Sequence, residues 1–302
     1  MKPLLLLALL PLSAFAELRV ATLHPLLGEL ARTVGGDQVE VIDLVGPGAD
    51  LHSFEPSPAH LRQLQEVALI LASGKGLEPY LDSLRDNLTA GQKLVEIGAS
   101  LPSLQFGGCD HPEHDHGHAG HDHGDEVEDP HWWHDISLMR RATRVVEKEL
   151  AALAPEEAPG FAARSQAHQA SLEELENWAA LQLFAVPPGQ RQLPTAHAAF
   201  AYFCAAYDFQ AIPVRGLTQD HEPSAKELTT LIGQLQADGV AALFPEASSN
   251  DKMLQAISQE TGIKIGGVLL ADATGDVQGN PISYHQLIQH NVRQIVAALA
   301  GE

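Results

Sequence analysis

The sequence predicts an α/β protein of two similar lobes, each a mostly parallel sheet flanked by helices, joined by one long, stiff backbone helix. Strand and helix patterns alternate from the start of the mature chain, their order returns in the second half, and a long polar helical segment lies between. This alternation is typical of a parallel sheet covered by helices. The length of 302 residues accommodates two domains of ordinary size, and the 45% hydrophobic content is sufficient for packed cores.

The first lobe shows the alternation most clearly. Leu18–Thr22 reads as a strand, residues 24–34 as a helix, and residues 39–45 as a second strand that ends in a Gly-Pro-Gly turn. A helix over 56–65 and an apolar strand over 67–71 follow. These elements predict a parallel sheet with helical crossovers in this lobe.

Two short stretches of the first lobe have counterparts in the second. The sequence at 22–27 (TLHPLL) resembles that at 195–200 (TAHAAF), and each lies between a strand and a helix. The sequence at 55–59 (EPSPA) resembles that at 222–226 (EPSAK), and each opens a helix that runs into an apolar strand, 240–244 in the second lobe. The repetition predicts two lobes of similar topology.

The lobes are predicted to be joined by a helix. Residues 161–182 are polar, with Leu172, Leu175 and Ala179 at helical spacing, and the pair of prolines at 187 and 188 ends the segment. We therefore assign residues 17–157 to the N-terminal lobe, 158–186 to the linking helix and 187–302 to the C-terminal lobe.

The first sixteen residues read as a secretory signal peptide. Lys2 gives a basic start, residues 4–12 are apolar apart from Pro11, and Ala14-Phe15-Ala16 is a small-residue cleavage site. The residue after the predicted cut is Glu17 and not cysteine, so no acceptor for a lipid anchor is present there. We expect an exported, periplasmic protein.

Charge and histidine content indicate a cation ligand. With 18 basic and 39 acidic residues the net charge is -21, which argues against nucleic acid as a partner and attracts cations. Residues 107–129 form an acidic segment with almost no apolar residue, which predicts a loop with affinity for transition metals. Its histidines are His111, His114, His116, His118, His121 and His123.

Four other residues are candidates for one defined metal site. His52, His131, His197 and Asp272 lie where strands end or where a loop meets a helix, two in each lobe. Ligands of open α/β sheets gather beyond the carboxyl ends of strands, so the four side chains are expected to meet between the lobes. Three imidazoles and one carboxylate suit tetrahedral Zn²⁺, whereas a set richer in carboxylates would indicate manganese.

The same residues carry a resemblance to a known family. The sequence resembles the metal-binding receptors of bacterial ABC importers for zinc and manganese, in particular the zinc (ZnuA-like) branch. The motifs that carry the resemblance are 48–58 (GADLHSFEPSP), 129–132 (DPHW), 195–200 (TAHAAF), 244–246 (FPE) and 270–272 (LAD), in family order. The acidic histidine-rich loop just before Asp129 is itself typical of the zinc members.

The resemblance implies a function and a set of ligands. It implies a periplasmic receptor, not an enzyme, that binds zinc in the cleft between two lobes and delivers it to a membrane permease; we expect a monomer. It places His52, His131 and His197 on the metal; manganese members carry a carboxylate at the position of His197. The fourth ligand stays open between Asp272, water and a nearby carboxylate.

Several further residues have expected roles of lower rank. Trp133-His134 departs from the apolar continuation usual in the family, and His134 ranks second to His131 as a ligand. Glu246 is expected to support the site by hydrogen bonding. His24 and His221 are expected to be bystanders near the mouth of the cleft, and His60, His168, His285 and His290 to be surface residues of helices.

Other functions remain possible at this point. A periplasmic zinc buffer or chaperone without a permease would need the same site. A secreted zinc hydrolase is indicated only by the run His121-Asp-His123-Gly-Asp125. A receptor for a metal chelate or a vitamin would leave the cleft histidines unexplained. A disulfide between Cys109 and Cys204 is also left open, since only geometry decides it.

Overall fold

The computed structural model describes most of the chain after residue 17. The described residues are 18–46, 48–106, 127–217, 223–247, 251–272, 275–276 and 278–301. The predicted signal peptide, Cys109, His221 and all six histidines of the acidic loop lie outside them. None of the helices within these ranges is long and apolar enough to span a bilayer.

The N-terminal lobe is built on a four-stranded parallel sheet. Its strand order is β2-β1-β3-β4, so the first strand lies between the second and the third. All four residues of β3 are buried, as expected for an inner strand covered on both faces by helices. The elements of this lobe are β1 Leu18–Thr22, α1 Pro25–Gly35, β2 Val39–Asp43, α2 Pro58–Leu64, β3 Leu69–Ala72, α3 Leu81–Asp86, β4 Lys93–Glu96, β5 Gln105–Phe106, β6 Val127–Glu128 and α4 Ile136–Leu153.

The C-terminal lobe repeats this strand order. β7 pairs in parallel with β8, and β9 pairs in parallel with β10. A parallel bridge from Thr195, the last residue of β7, to Phe244, the residue after β9, joins the two pairs. The resulting order β8-β7-β9-β10 corresponds to β2-β1-β3-β4, which confirms two similar lobes. The elements are β7 Gln192–Thr195, α6 Ala201–Tyr207, β8 Gln210–Pro213, α7 Ala225–Ala237, β9 Ala242–Leu243, α8 Lys252–Thr261, β10 Lys264–Ile265 and α9 Tyr284–Leu299.

Some strand boundaries were predicted wrongly. The apolar run 266–271 reads in the sequence as a strand that ends just before Asp272, but the strand is β10 at Lys264–Ile265. It is followed by an extended segment in which Leu269 makes a single parallel bridge to Glu246. Two successive glycines, Gly266 and Gly267, interrupt the ladder there. A side chain at either position would clash, since its Cβ would lie 2.8 Å from the Phe244 ring or even closer to the Gln294 side chain.

A single helix of 26 residues, α5 Ala158–Leu183, links the two lobes as predicted. At 1.5 Å per residue it is about 39 Å long. It packs against α1 and α4 of the first lobe and α9 of the second. The buried side chains of α5, among them Phe161 and Leu172, belong to one hydrophobic cluster that also contains Leu27 and Ile295, so the cores of the two lobes are continuous. The exact lobe boundaries stay predictions.

A short hairpin closes the base of the acidic loop. β5 and β6 pair antiparallel, with Gln105 opposite Glu128 and Phe106 opposite Val127. The chain leaves this hairpin directly into Asp129 and His131. The loop and the predicted metal site are therefore adjacent along the chain.

We predict that α5 contributes to stability mainly through its buried face. Leu172→Ala removes a fully buried side chain and should lower the free energy of unfolding by about 2–5 kcal/mol. Leu181→Ala, on the same helix but 70% exposed, is the matched control and should change it by less than about 0.5 kcal/mol. Urea unfolding of the two variants tests this, and equal losses would contradict a core that runs along α5.

Candidate metal centre

The structure brings His52, His131, His197 and Asp272 together between the lobes. One potential ligand atom from each residue lies within 4.8 Å of all the others. Nε2 of His52 and Nε2 of His131 are 3.1 Å apart. Asp272 Oδ1 lies 3.2 Å from His131 Nε2, and Asp272 Oδ2 lies 3.2 Å from His197 Nε2.

Each of the four residues follows a strand or the end of a hairpin. His52 lies in the loop between β2 and α2, in a turn where the Asp50 carboxylate accepts the His52 backbone N–H at 3.0 Å. His131 follows β6, and Asp272 follows the extended segment after β10. His197 follows β7 but does not open a helix as predicted, because α6 begins only at Ala201.

Several separations between the potential ligand atoms are close to those of a tetrahedral zinc shell. Nitrogen and oxygen ligands at about 2.0–2.1 Å from Zn²⁺ lie about 3.3 Å from one another at tetrahedral angles. Three of the separations at this site are 3.1–3.2 Å, and another, from His52 Nε2 to Asp272 Oδ1, is 3.8 Å. Asp272 faces His52 and His131 through Oδ1 and His197 through Oδ2. The side chains of His131, His197 and Asp272 are almost fully buried, and that of His52 is 11% exposed.

Carboxylates orient two of the imidazoles. Asp129 Oδ1 contacts Nδ1 of His131 at 2.7 Å and also accepts the His131 backbone N–H at 2.9 Å. Glu246 contacts Nδ1 of His197 in the same way and accepts the His197 backbone N–H at 3.1 Å. A carboxylate that accepts Nδ1–H leaves the Nε2 lone pair for a metal ion and makes that nitrogen more basic.

The buried charges of the site shift its pKa values in opposite directions. Burial lowers the pKa of His197, but the charges of Glu246 and Asp272 outweigh it and raise the pKa to about 11. For His131, burial is likewise outweighed by Asp129 and Asp272, which raise the pKa. Burial would raise the pKa of Asp272, but the His197 charge and the neighbouring imidazoles hold it well below its ordinary value.

Polar atoms at the centre of the site have no hydrogen-bond partner within the described residues. They are Nε2 of His197 and both carboxylate oxygens of Asp272. The 3.2 Å contacts of Asp272 with His131 and His197 are ion-pair contacts without the angles of a hydrogen bond. Unpaired buried polar atoms are rare because each costs free energy. A cation at the centre would contact all of these atoms, so the chemistry of the donor set fits a metal ion.

Two further imidazoles flank the site without joining the group of four. His134, ranked second to His131 as a ligand, has its Nε2 3.1 Å from the carbonyl oxygen of Ala271. Because a carbonyl oxygen only accepts hydrogen bonds, this Nε2 carries the proton and donates it. His24 is not at the cleft mouth: it is buried, and its Nδ1 accepts the Leu26 N–H at the start of α1. Burial lowers the pKa of both imidazoles to about 3, so both are neutral at physiological pH.

The remaining histidines of the described chain have structural contacts. His60 completes the cap of α2, and His290 Nε2 lies 2.8 Å from the Val268 carbonyl oxygen. His168 and His285 meet between α5 and α9 and are half-buried, not on the open surface as predicted. Cys204 is buried, and because Cys109 lies outside the described residues, the disulfide question stays open.

Sequence reasoning found one of the residues that hold the ligands, Glu246, which bonds His197 as predicted, and missed two others. The role of Asp129 could have been found from the Asp-Pro-His spacing, since the residue two before a histidine in a tight turn reaches its Nδ1. Asn291 gave no such signal: it lies on α9, and its side-chain amide bonds both backbone groups of Leu270, two residues before Asp272.

A comparison with protein families matches nearly the whole chain. The family model described as "ZnuA: Zinc-uptake complex component A periplasmic" matches residues 20–298. This range includes all four residues of the site and both lobes.

Individual relatives carry different metals in their names. The manganese-binding lipoprotein MntA of Bacillus subtilis is 27% identical over 292 residues, which cover 95% of this chain and 91% of the relative. The zinc-binding protein TroA of Treponema pallidum is 28% identical over 286 residues, which cover 93% and 88%. The solved structure of periplasmic TroA superimposes with a TM-score of 0.81 at 27% identity, covering 95% of this chain and all of that one.

We predict that metal binding releases protons at neutral pH. His197 carries its proton at pH 7 in the metal-free protein because its pKa is raised, and the imidazole must be neutral to bind a metal ion. Affinity should therefore increase as the pH rises through neutrality. Calorimetry of zinc binding at pH 7 in buffers of different ionisation enthalpy should give at least one released proton, and a buffer-independent enthalpy would contradict the predicted charge state.

Proposed function

Because the chain belongs to the ZnuA family of periplasmic components of metal-uptake complexes, we propose that it captures Zn²⁺ between its lobes and delivers it to an ABC-type membrane permease. The observation that carries this proposal is the convergence of three imidazoles and one carboxylate within 4.8 Å. Each lobe contributes two of these side chains, so the ion is held at the place where the lobes meet.

The donor set favours zinc over manganese. Imidazole is a good ligand for zinc, whereas manganese prefers carboxylate, carbonyl and water oxygens and a higher coordination number. Three of the four donors here are imidazoles, and two of these are made more basic by Asp129 and Glu246. Relatives named for zinc and for manganese are about equally similar to this chain, so the argument for zinc rests on the ligands.

Each residue of the group has a proposed role. His52, His131 and His197 bind the ion through Nε2, and Asp272 supplies the fourth ligand and the negative charge. His52 is the one partly exposed member, so the ion enters and leaves past its side chain. The acidic loop, with six histidines, gathers zinc and raises its concentration near this entrance.

The proposed site is suited to holding an ion and not to hydrolysis. A catalytic zinc keeps one coordination position open for water and needs a placed general base. Four protein donors complete a tetrahedral shell, and the carboxylates of Asp129 and Glu246 are engaged with imidazoles. We therefore propose a receptor, exported by a signal peptide at residues 1–16 and active in the periplasm as a monomer.

A competitive zinc titration tests the site directly. We expect that deleting residues 110–128 from the mature protein leaves one tight zinc site and removes only weaker ones. In that background, His197→Ala should weaken tight binding by more than about 100-fold, because it removes a ligand and leaves Asp272 and Glu246 buried without their partner. The matched control is His168→Ala on α5, which should leave the affinity unchanged.

Two outcomes of this titration would contradict the proposal. Loss of tight binding with the loop deletion would move the main site to the loop and favour a zinc buffer. Unchanged affinity in His197→Ala would exclude the group of four as the zinc site.

A growth experiment separates a receptor from a buffer without a permease. Deleting the gene for this protein should impair growth in a zinc chelator, and should add nothing when the permease is already deleted, because both act in one uptake route. An equally large defect in both backgrounds would indicate a buffer. The His197→Ala variant should fail to restore growth, and His168→Ala should restore it.

A further inference from the structure

One backbone carbonyl beside the site receives two side-chain donors from the opposite lobe. The indole Nε1–H of Trp133 donates to the carbonyl oxygen of Ala271 at 3.1 Å, and His134 Nε2 donates to the same oxygen at 3.1 Å. Ala271 immediately precedes Asp272. A carbonyl oxygen has two lone pairs, so these two bonds saturate it.

The two donors follow directly after another residue of the site. His131 is followed by a short 3₁₀ turn, Trp132–His134, that carries both donors. Two hydrogen bonds therefore connect the turn after His131, in the first lobe, with the residue before Asp272, in the second. Tyr284 on α9 strengthens this connection, since its hydroxyl donates to the Trp133 carbonyl oxygen at 2.7 Å.

The connection is shielded from water. Trp133, His134 and Ala271 are each no more than 2% exposed, and His134 stacks on Phe200 with 4.5 Å between ring centroids. Water cannot readily replace either donor, so loss of one leaves part of a buried carbonyl unsatisfied. On its other side, the segment is held by Asn291 of its own lobe, which bonds the N–H and C=O of Leu270 at 2.8 Å each.

We propose that Trp133 and His134 form an interlobe clasp that holds the Asp272 carboxylate against the three imidazoles and so slows release of the bound metal ion. The proposal rests on the proposed function, because it concerns the same site. It gives a role to Trp133 and His134, neither of which is among the four proposed ligands. His134 acts on the metal through Asp272 and is a positioning residue, not a ligand.

The clasp is tested by removing its donors one at a time. Trp133→Phe and His134→Phe each keep an aromatic ring in place but lose the N–H that reaches Ala271. In stopped-flow measurements with a chelator, each should speed zinc release by about tenfold and leave the association rate unchanged. Trp132→Phe is the matched control: it loses an equally buried indole N–H, which donates to Ser73 within the first lobe, and should change release by less than about twofold.

A double-mutant cycle shows whether the effect passes through Asp272. In an Asp272→Ala background, Trp133→Phe should cause no further acceleration, because there is no carboxylate left to position. Equal acceleration by Trp132→Phe and Trp133→Phe, or a full effect of Trp133→Phe in the Asp272→Ala background, would overturn the clasp. Thermal unfolding of each metal-free variant identifies any that fails to fold, and His134→Phe gives a second, independent measurement.

The same data separate this proposal from the one on which it rests. If Asp272→Ala binds and releases zinc as the unsubstituted protein does, the site assignment itself fails. If Asp272→Ala speeds release but neither clasp variant does, the site stands and only the clasp is wrong.

Discussion

The buried carboxylate of Asp272 is the group on which the rest of the site depends. Ionised and almost inaccessible to water, it would cost several kcal/mol without compensating positive charge. Two imidazoles with raised pKa values supply that charge in the metal-free protein, and a divalent cation supplies it when bound. Under the proposed function, capture of the ion is thus an exchange of protons for metal at this site.

The two lobes show why one of two equivalent histidines joins the site. His24 and His197 occupy the same position after the first strand of their lobes. In the first lobe the helix starts at once, at Pro25, and the Nδ1 of His24 caps it by accepting a backbone N–H. In the second lobe the helix starts only at Ala201, which leaves the His197 ring to bond Glu246 through Nδ1 and to direct Nε2 toward Asp272. A difference of a few residues in where a helix begins therefore separates a structural imidazole from a proposed ligand.

Much of this arrangement could be predicted from the sequence. The order of strands and helices, the linking helix and the four residues that meet at the cleft follow from local patterns and from the rule that ligands gather at the carboxyl ends of parallel strands. Apart from the support given by Glu246, the contacts that hold the site did not follow. Whether His134 or His131 joins the group of four depends on which carbonyl of the other lobe lies within reach of His134. The role of Asn291 depends on packing between residues 21 positions apart. The short ladder at β10 was missed because Gly266 and Gly267 are required by the close approach of Phe244 and Gln294, which no local pattern reveals.

X-ray absorption spectroscopy of the zinc-loaded protein lacking residues 110–128 tests the central claim most directly. With one equivalent of zinc, the account predicts four nitrogen and oxygen ligands at about 2.0–2.1 Å, with the multiple-scattering signature of three imidazoles. His197→Ala should reduce the imidazole count to two, and Asp272→Ala should leave it at three. A six-coordinate, oxygen-rich shell, or a spectrum unaffected by His197→Ala, would contradict a zinc site formed by His52, His131, His197 and Asp272.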